Sequence, residues 1–584
     1  MKFSRDNSRT QRENHQRKSH HAGCKPINIG CYFPSGYVLT SEKDTVFIRQ
    51  ATGLVRGFSH LDLFVQSISI MQIGISTVFT LEAVGTFFPG TNIFALLIIA
   101  AVVAIGFAVA WSMMAAAIPR SGGDYVWITR ILSRAPSVGF MYSLSYGLAY
   151  AIMFNMGFQV WLFTNGILSP TFAGMGLVYN NSALTNLGNW MASGNGLFVT
   201  GLILIALAIG TVSFGTRRSS RIINYLFFFS LLITVLWIIL GFAFRAPTFK
   251  AAYDAQFGTG QYENVFSLAQ KSGFSGFTFN LSTTLLVGFS IGYFSTYSNF
   301  QYPLWASGEI KKVQKVLSPY VISIVLTAIL FVGLFAALYN LMGANWVGAM
   351  SVAASSSSTA GSLPFSVAPT FTFFLTILFK SNPILVFLIN AGLVAGSFTW
   401  FVVPYIAFSR LILGMSFDRV LPKAFGDVNE RFRFPFKALV LSVALVILYF
   451  SQYAYGLFWN PNLISLSTVF SSFAAVAPAA WTVAALVFAL FPWLNRDLYE
   501  RTMPSQFKKK FGLPLITWVG GFVAVTQALA TFTYVTLAAP SPIISFSAVL
   551  ITMLGSFVLY YVISAYRKRQ GLDLKYVFKE IPPE

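Results

Sequence analysis

Charge is what this sequence has least of. Only 10% of its 584 residues are Asp, Glu, Lys or Arg, while 55% are hydrophobic, a balance that excludes an ordinary water-soluble domain. The few charges fall in clusters. Between them lie uncharged runs at 83–119, 135–216, 222–244, 272–308, 316–379, 381–409, 438–495 and 511–566, several of them long enough for two membrane crossings and a loop. Histidine is scarcer still: four in the chain and none beyond His60. An intramembrane enzyme needs clustered His, Asp or Glu or an activated nucleophile, so this scarcity argues against one. The two cysteines, Cys24 and Cys31, sit in a polar N-terminal tail that is expected on the reducing side, so a structural disulfide is not expected. Their spacing to His15, His20 and His21 fits no zinc-ligand pattern. Residues 1–50 have no apolar signal-peptide core, so the first true span is expected to direct insertion.

Acidic residues are outnumbered by basic ones, and the net charge is +21. Its distribution decides what that means. If the chain crosses the bilayer twelve times, both ends lie on one side, and that side carries 35 Lys and Arg, leaving Arg245, Lys250, Lys271 and Lys380 for the other. Such lopsidedness follows the positive-inside rule, so both termini are expected in the cytoplasm and nucleic acid is not expected as a partner. The partners expected are the lipid bilayer and a small molecule.

One stretch, 58–88, organises the rest. Between Asp62 and Glu82 lie 19 uncharged residues, enough helix to cross most of an apolar core roughly 30 Å thick. Its middle is nevertheless Met71-Gln72-Ile73-Gly74-Ile75-Ser76-Thr77. Glycine weakens a helix, and amide and hydroxyl groups offer partners to any backbone that a break sets free. A helix broken at mid-membrane presents carbonyls at the end of one half and N–H groups at the start of the next, a site for a zwitterion or a cation.

In order, the expected spans are 58–88, 92–118, 137–165, 196–214, 222–244, 277–304, 317–340, 383–409, 437–456, 464–491, 514–537 and 542–566. The sixth carries a second interruption, Gly288-Phe289-Ser290-Ile291-Gly292-Tyr293. Glycines four apart also serve close helix packing, but this pair falls in the fifth span after the first. Corresponding places in two five-span halves of opposite orientation are the pattern of an inverted-repeat transporter. The aromatic stretch 364–380 contains Pro364 and Pro369 and is read as a helix in the outer loop 341–382. The organisation is then a tail at 1–52, one repeat at 53–244, a second at 245–491, accessory spans at 492–566 and a tail at 567–584. Tyr125, Trp127 and Arg130 read as an interfacial anchor after the second span.

Three short motifs, each at an inner loop, share a further likeness. Pro119-Arg120-Ser121-Gly122-Gly123 with the aromatics to Trp127, Gly308-Glu309-Ile310-Lys311, and Ser409-Arg410 with Asp418-Arg419-Val420-Leu421-Pro422-Lys423 together resemble the amino acid–polyamine–organocation permeases over about 53–566. The resemblance implies an all-α leucine-transporter fold of twelve spans, with spans 1 and 6 broken. It also implies alternating access and movement of amino acids or related amines driven by H⁺ or Na⁺. Where family members commonly carry Gly-Ser-Gly, this chain has Gly74-Ile75-Ser76-Thr77, and 222–244 lacks the lysine that replaces sodium in some proton-coupled members.

The candidate substrate site is therefore Met71, Gln72, Gly74, Ile75, Ser76 and Thr77 with Phe289, Ser290, Gly292 and Tyr293. N–H groups near 76–78 would face a carboxylate, and the two rings would cover an ammonium. A coupling cation is expected where carbonyls near Ile70 and Ile73 face Ser397 and Thr399, although such hydroxyls commonly satisfy their own helix. Glu82 is an acid inside a span, hence a gate or proton carrier by default, or else a solvated group near the outer interface. Glu309 and Tyr125 are candidates for an inner gate. No cofactor or metal is expected beyond the coupling ion. A non-transporting nutrient sensor and a channel share these features, and flux measurements separate them from a coupled carrier.

Overall fold

Helix after helix in this chain is both long and apolar, because its uncharged runs leave backbone groups no partner in lipid other than each other. The computed structural model describes residues 54, 56–74, 88–356, 358–456, 472–508, 510–538, 541–579 and 581. Ten helices among these are long and apolar enough to cross a membrane.

The chain enters at α1, His60–Met71, started by a reciprocal cap in which Ser59 Oγ accepts from Asp62 N and the Asp62 carboxylate accepts from Ser59 N. Then come α2, Ile93–Ala117, the short α3, Asp124–Ile131, and α4, a 43-residue helix over Pro136–Val178. Within α4 the stretch Ser143–Asn155 winds as a π-helix, which stacks Tyr142, Tyr146, Tyr150 and Phe154 along one side. Next are α5, Gly194–Ser213, and α6, Thr216–Ala243. Two short pieces follow, α7, Leu281–Phe289, and α8, Ile291–Thr296, separated by Ser290 at φ −113°, ψ −95°. The series continues with α9, Leu317–Met342, α10, Pro383–Phe417, α11, Phe436–Tyr455, and α12, Val476–Leu494. It ends with α13, Leu515–Thr533, α14, Pro542–Arg569, and the small α15, Leu574–Val577.

The inner bundle sets α1 against α6, α9 and α10, while α2 packs on α7, α8, α9 and α13. Where helices approach most closely, glycine is required. A Cβ on Gly392 of α10 would stand 2.3 Å from Ile233 of α6, and one on Gly241 of α6 would stand 2.7 Å from Ala337 of α9. On the outward faces Ile329, Ile384, Val525 and Ile543 are exposed, as lipid-facing side chains should be.

Several elements differ from the sequence reading, among them α4, which runs on to Val178 past its expected end at 165. Residues taken as outer loop form helices at Ala246–Phe257 and Gln261–Lys271. Their aromatics supply the reason: Phe249, Tyr253 and Tyr262 bury themselves around Trp346, with Tyr262 Oη donating to Met342 O at 2.6 Å. Helix α10 runs past Arg410 to Phe417 because its polar groups find partners inside the protein. Tyr125, Trp127 and Arg130 are fully buried, so they are packing and pairing groups where the sequence suggested an interfacial anchor. The stretch 364–380 contributes only the eight-residue helix Phe371–Leu378, too short to cross a bilayer.

Candidate functional site

Helix α1 ends in a strained residue. Gln72 lies at φ 35°, ψ 82°, a left-handed conformation that costs a non-glycine residue about 1–3 kcal/mol. Its side chain reaches α10, where Nε2 donates to Ser397 Oγ at 2.6 Å. Ser397 in turn donates to Leu393 O at 2.7 Å, and Thr399 donates to Gly396 O at 2.7 Å. Both hydroxyls thus satisfy carbonyls of their own helix, and Ser397 also holds the end of α1.

Beside this contact is a cavity of about 40 Å³ lined from three helices, by Ser69, Gln72 and Gly74, by Thr234 and Trp237 of α6, and by Thr399 of α10. Among the described residues Ser69 Oγ and Trp237 Nε1 have no hydrogen-bond partner. The space accommodates a water or two, or a small cation, and is too small for an amino acid. Gln72, Ile73 and Gly74 line it, as does Thr399. Phe289, Ser290, Gly292 and Tyr293 do not.

Those four belong to the α7–α8 segment, which packs on α2. Gly288 and Gly292 face α2: a Cβ on the first would meet Ile99 at 2.9 Å and one on the second Ala100 at 3.3 Å. Tyr293 is buried with its ring stacked 4.8 Å from Phe107 and edge-on to Trp481, and its hydroxyl has no partner among the described residues. Phe289 is half-buried. Ile70 and Met71 are buried in α1. Ile75, Ser76, Thr77 and Glu82 lie outside the described residues.

A second buried polar region lies at the arginine-rich end, where the three motifs meet. Gly123 takes φ +48° and any Cβ there would fall 2.4 Å from Trp305, while Gly122 stands at φ +105° against the backbone of Gly414 in α10. Gly122 N donates to Trp305 O at 2.9 Å, and Ser307 Oγ to Arg120 O at 2.9 Å. The paired glycines therefore let the loop before α3 wedge between the segment after α8 and α10. The strand-like stretch before α1 is tied to the same segment, Phe58 N donating to Glu309 O and Lys311 N to Phe58 O.

Two ion pairs fasten these pieces. Arg410 grips Glu309 through Nε to Oε1 at 2.6 Å and Nη2 to Oε2 at 3.0 Å, with Thr216 Oγ1 donating to Oε2 at 3.0 Å. Arg130 grips Asp418 at 2.6 and 2.7 Å, and Tyr125 Oη donates to the same carboxylate at 2.8 Å. Burial above all, and next the Asp418 charge, hold the Tyr125 phenol well above its usual value, so it remains a donor. All four charged side chains are at most 1% exposed, and each pair is two-pronged, the geometry that offsets desolvation best. Rings close the shell, with Phe434 under Arg410 and Phe578, next to α15, under Arg130.

Sequence reasoning named Glu309 and Tyr125 as gate candidates, quoted Arg410 and Asp418 only within a motif and Arg130 only as an anchor, and missed both pairings and Thr216. It also missed Asp124, buried at the start of α3. The available signal was that each inner motif pairs glycines or a helix end with a lone charge of known sign. A buried set of this kind provides a latch between helices; among the described residues no group of His, Cys, Asp and Glu is placed to hold a metal.

No protein of curated function matches this chain significantly. The family model described as "Amino acid permease" does match, over residues 58–563, which takes in nine of the ten long helices, all but the last six residues of the tenth, and the three motifs, and the chain belongs to the amino acid permease family.

Proposed function

We propose that this permease is a secondary active transporter that moves amino acids or related amines by alternating access, driven by a proton or sodium gradient. The observation that carries the reading is the pair of interruptions. Counting 58–88 and 277–304 as spans brings the ten long helices to twelve, and a helix ends inside each of these two stretches. Helix α1 stops at Gln72, and Ser290 separates α7 from α8. Unwound backbone inside a membrane is tolerated only where it faces protein or a wet cavity, and in transporters such points face the ligand.

On this reading the substrate carboxylate meets N–H groups near Ser76 and Thr77, and its ammonium meets the carbonyl end of α1 near Met71. Phe289, Ser290, Gly292 and Tyr293 approach from the second interruption. The 40 Å³ cavity between α1, α6 and α10 is the candidate place for a coupling cation, with Ser69 and Thr399 as oxygen donors and the Ile70 and Ile73 carbonyls close by. Glu82 serves as an outer gate or proton carrier. The Glu309–Arg410 and Asp418–Arg130 pairs latch the inner end shut, both termini lie in the cytoplasm, and spans 1–5 and 6–10 form two inverted repeats.

The test is uptake of a panel of radiolabelled amino acids and polyamines into proteoliposomes, with pH and Na⁺ gradients imposed separately. Saturable, gradient-driven accumulation of one class is expected. Conductance without stoichiometric coupling would make the protein a channel. Binding without flux would make it a sensor.

A further inference from the structure

Among the described residues three acids are buried at the inner end, Glu309, Asp418 and Asp124, and the first two face an arginine. Asp124 accepts from Trp111 Nε1 at 3.0 Å and from Tyr142 Oη at 2.6 Å, both neutral donors. The titratable groups around it are the phenols of Tyr142 and Tyr146 from α4, Tyr293 from α8 and Tyr302 beyond it. On its own helix Tyr125 and Arg130 turn to Asp418, and on α10 Arg410 turns to Glu309. An ionised Asp124 is thus a buried charge without a countercharge, which favours the neutral acid. Burial raises its pKa to about 6, the Tyr142, Trp111 and Trp305 side chains and its own backbone N–H tempering the rise in that order.

Trp111 and Tyr142 connect it to the parts that must separate when the inner end opens. Trp111 stacks at 4.1 Å on Phe107, and Phe107 at 4.8 Å on Tyr293, three residues past Ser290. Tyr142 lies 5.4 Å from the Tyr146 ring, whose hydroxyl meets Asn299 at 3.3 Å and Gln301 at 3.2 Å. One carboxyl therefore touches α2 and α4 directly and the segment after the second interruption through one more residue.

We propose that Asp124 is a proton-binding site of the transport cycle, occupied while the inner end is closed and emptied to water as that end opens. In the step the carboxyl O–H bond breaks, its electron pair stays on Asp124, and the proton passes to water at the inner face. Closure dehydrates the group and favours the acid, and opening hydrates it and favours the carboxylate. Acid on the inner side therefore holds the latch closed. This rests on the transport reading above for the cycle, although the site itself does not.

Infrared difference spectroscopy of the purified protein reads a protonated carboxyl directly. A buried carboxyl band should titrate within about one pH unit of 6 and vanish in Asp124→Asn. Trp111→Phe and Tyr142→Phe each remove a donor that favours the carboxylate, so each should move the midpoint to higher pH. The pH profile of uptake should show the same midpoint and flatten in Asp124→Asn while substrate-induced thermal stabilisation persists. The proposal is overturned if no such band titrates in the wild type, if the two donor variants leave the midpoint unchanged, or if Asp124→Asn keeps the wild-type pH profile. Should Asp124→Asn fail to fold, the donor variants decide alone. A titrating band in a protein that transports no amino acid or amine would refute the transport reading and leave the proton site standing.

Discussion

Glu309 shows how a single side chain ties separate segments. Its carboxylate takes two bonds from Arg410 and one from Thr216, so the loop after α8 is fixed to α10 and to the start of α6. In Glu309→Gln the guanidinium stays buried with only neutral acceptors, and breaking one side of a buried pair costs about 3–5 kcal/mol. If the pair exists only in the inward-closed state, that cost falls on one end of the cycle. Initial uptake rates should then change by more than the apparent affinity does, and a variant with wild-type flux would reduce Glu309 to a structural anchor. The Gln72–Ser397 bond is a smaller matter. A neutral hydrogen bond contributes about 1 kcal/mol net, so Gln72→Ala and Ser397→Ala should each lower thermal stability slightly. The double variant should lose less than the sum of the two, because both remove the same contact. Strict additivity would mean that the 2.6 Å approach contributes nothing to stability.

At the scale of elements, α3 sets two effects against each other at its first residue. A carboxylate at a helix N-terminus gains about 0.3–1 kcal/mol from the helix dipole. Raising Asp124 from 3.8 to about 6 corresponds to about 3 kcal/mol the other way, so desolvation wins. A folded-state pKa above the unfolded one gives stability that is complete below about pH 4 and is lost as the pH rises through 6. The melting temperature of the purified protein should therefore fall between about pH 4 and 6 and level off above about pH 7, and Asp124→Asn should flatten that slope. An unchanged slope in the variant would assign the effect to another group.

The elements also explain what could be read from sequence. Length and hydropathy fix a long buried helix wherever charge is absent for some twenty residues, which is why α2, α5, α9 and α11 fall within a few residues of their expected bounds. Periodicity fails where packing decides. The expected outer loop at 245–276 became helical because its aromatics found Trp346, a partner some eighty residues away. Gly288 and Gly292 illustrate the same limit within the candidate site. Two glycines four apart suit both an interruption and a close approach, and only the position of α2 reveals that both face a neighbouring helix. The inner motifs were legible as motifs, yet their meaning, glycines wedged against Trp305 and Gly414 and arginines facing particular acids, depends on contacts across nearly three hundred residues.

For the molecule as a whole, orientation is what charge determines. The Lys and Arg residues divide 35 to 4 between the two ends if the chain has twelve spans, and insertion by the positive-inside rule would then leave the richer end in the cytoplasm. An uneven span count would destroy that division, since every loop downstream of an added or lost crossing would change sides. The two positions that report this best are exposed and on opposite ends: Gly361, with no atom near enough to meet an added Cβ, and Lys423, just past α10. With Cys24 and Cys31 changed to serine, single cysteines at 361 and 423 can be probed with a membrane-impermeant thiol reagent on intact cells. Gly361→Cys should react from outside and Lys423→Cys only after the membrane is opened. The reverse pattern would invert the topology and place the Glu309 and Asp418 latches outside. Labelling of both from outside would mean that α10 does not cross the membrane as read, and the inverted repeat would fall with it.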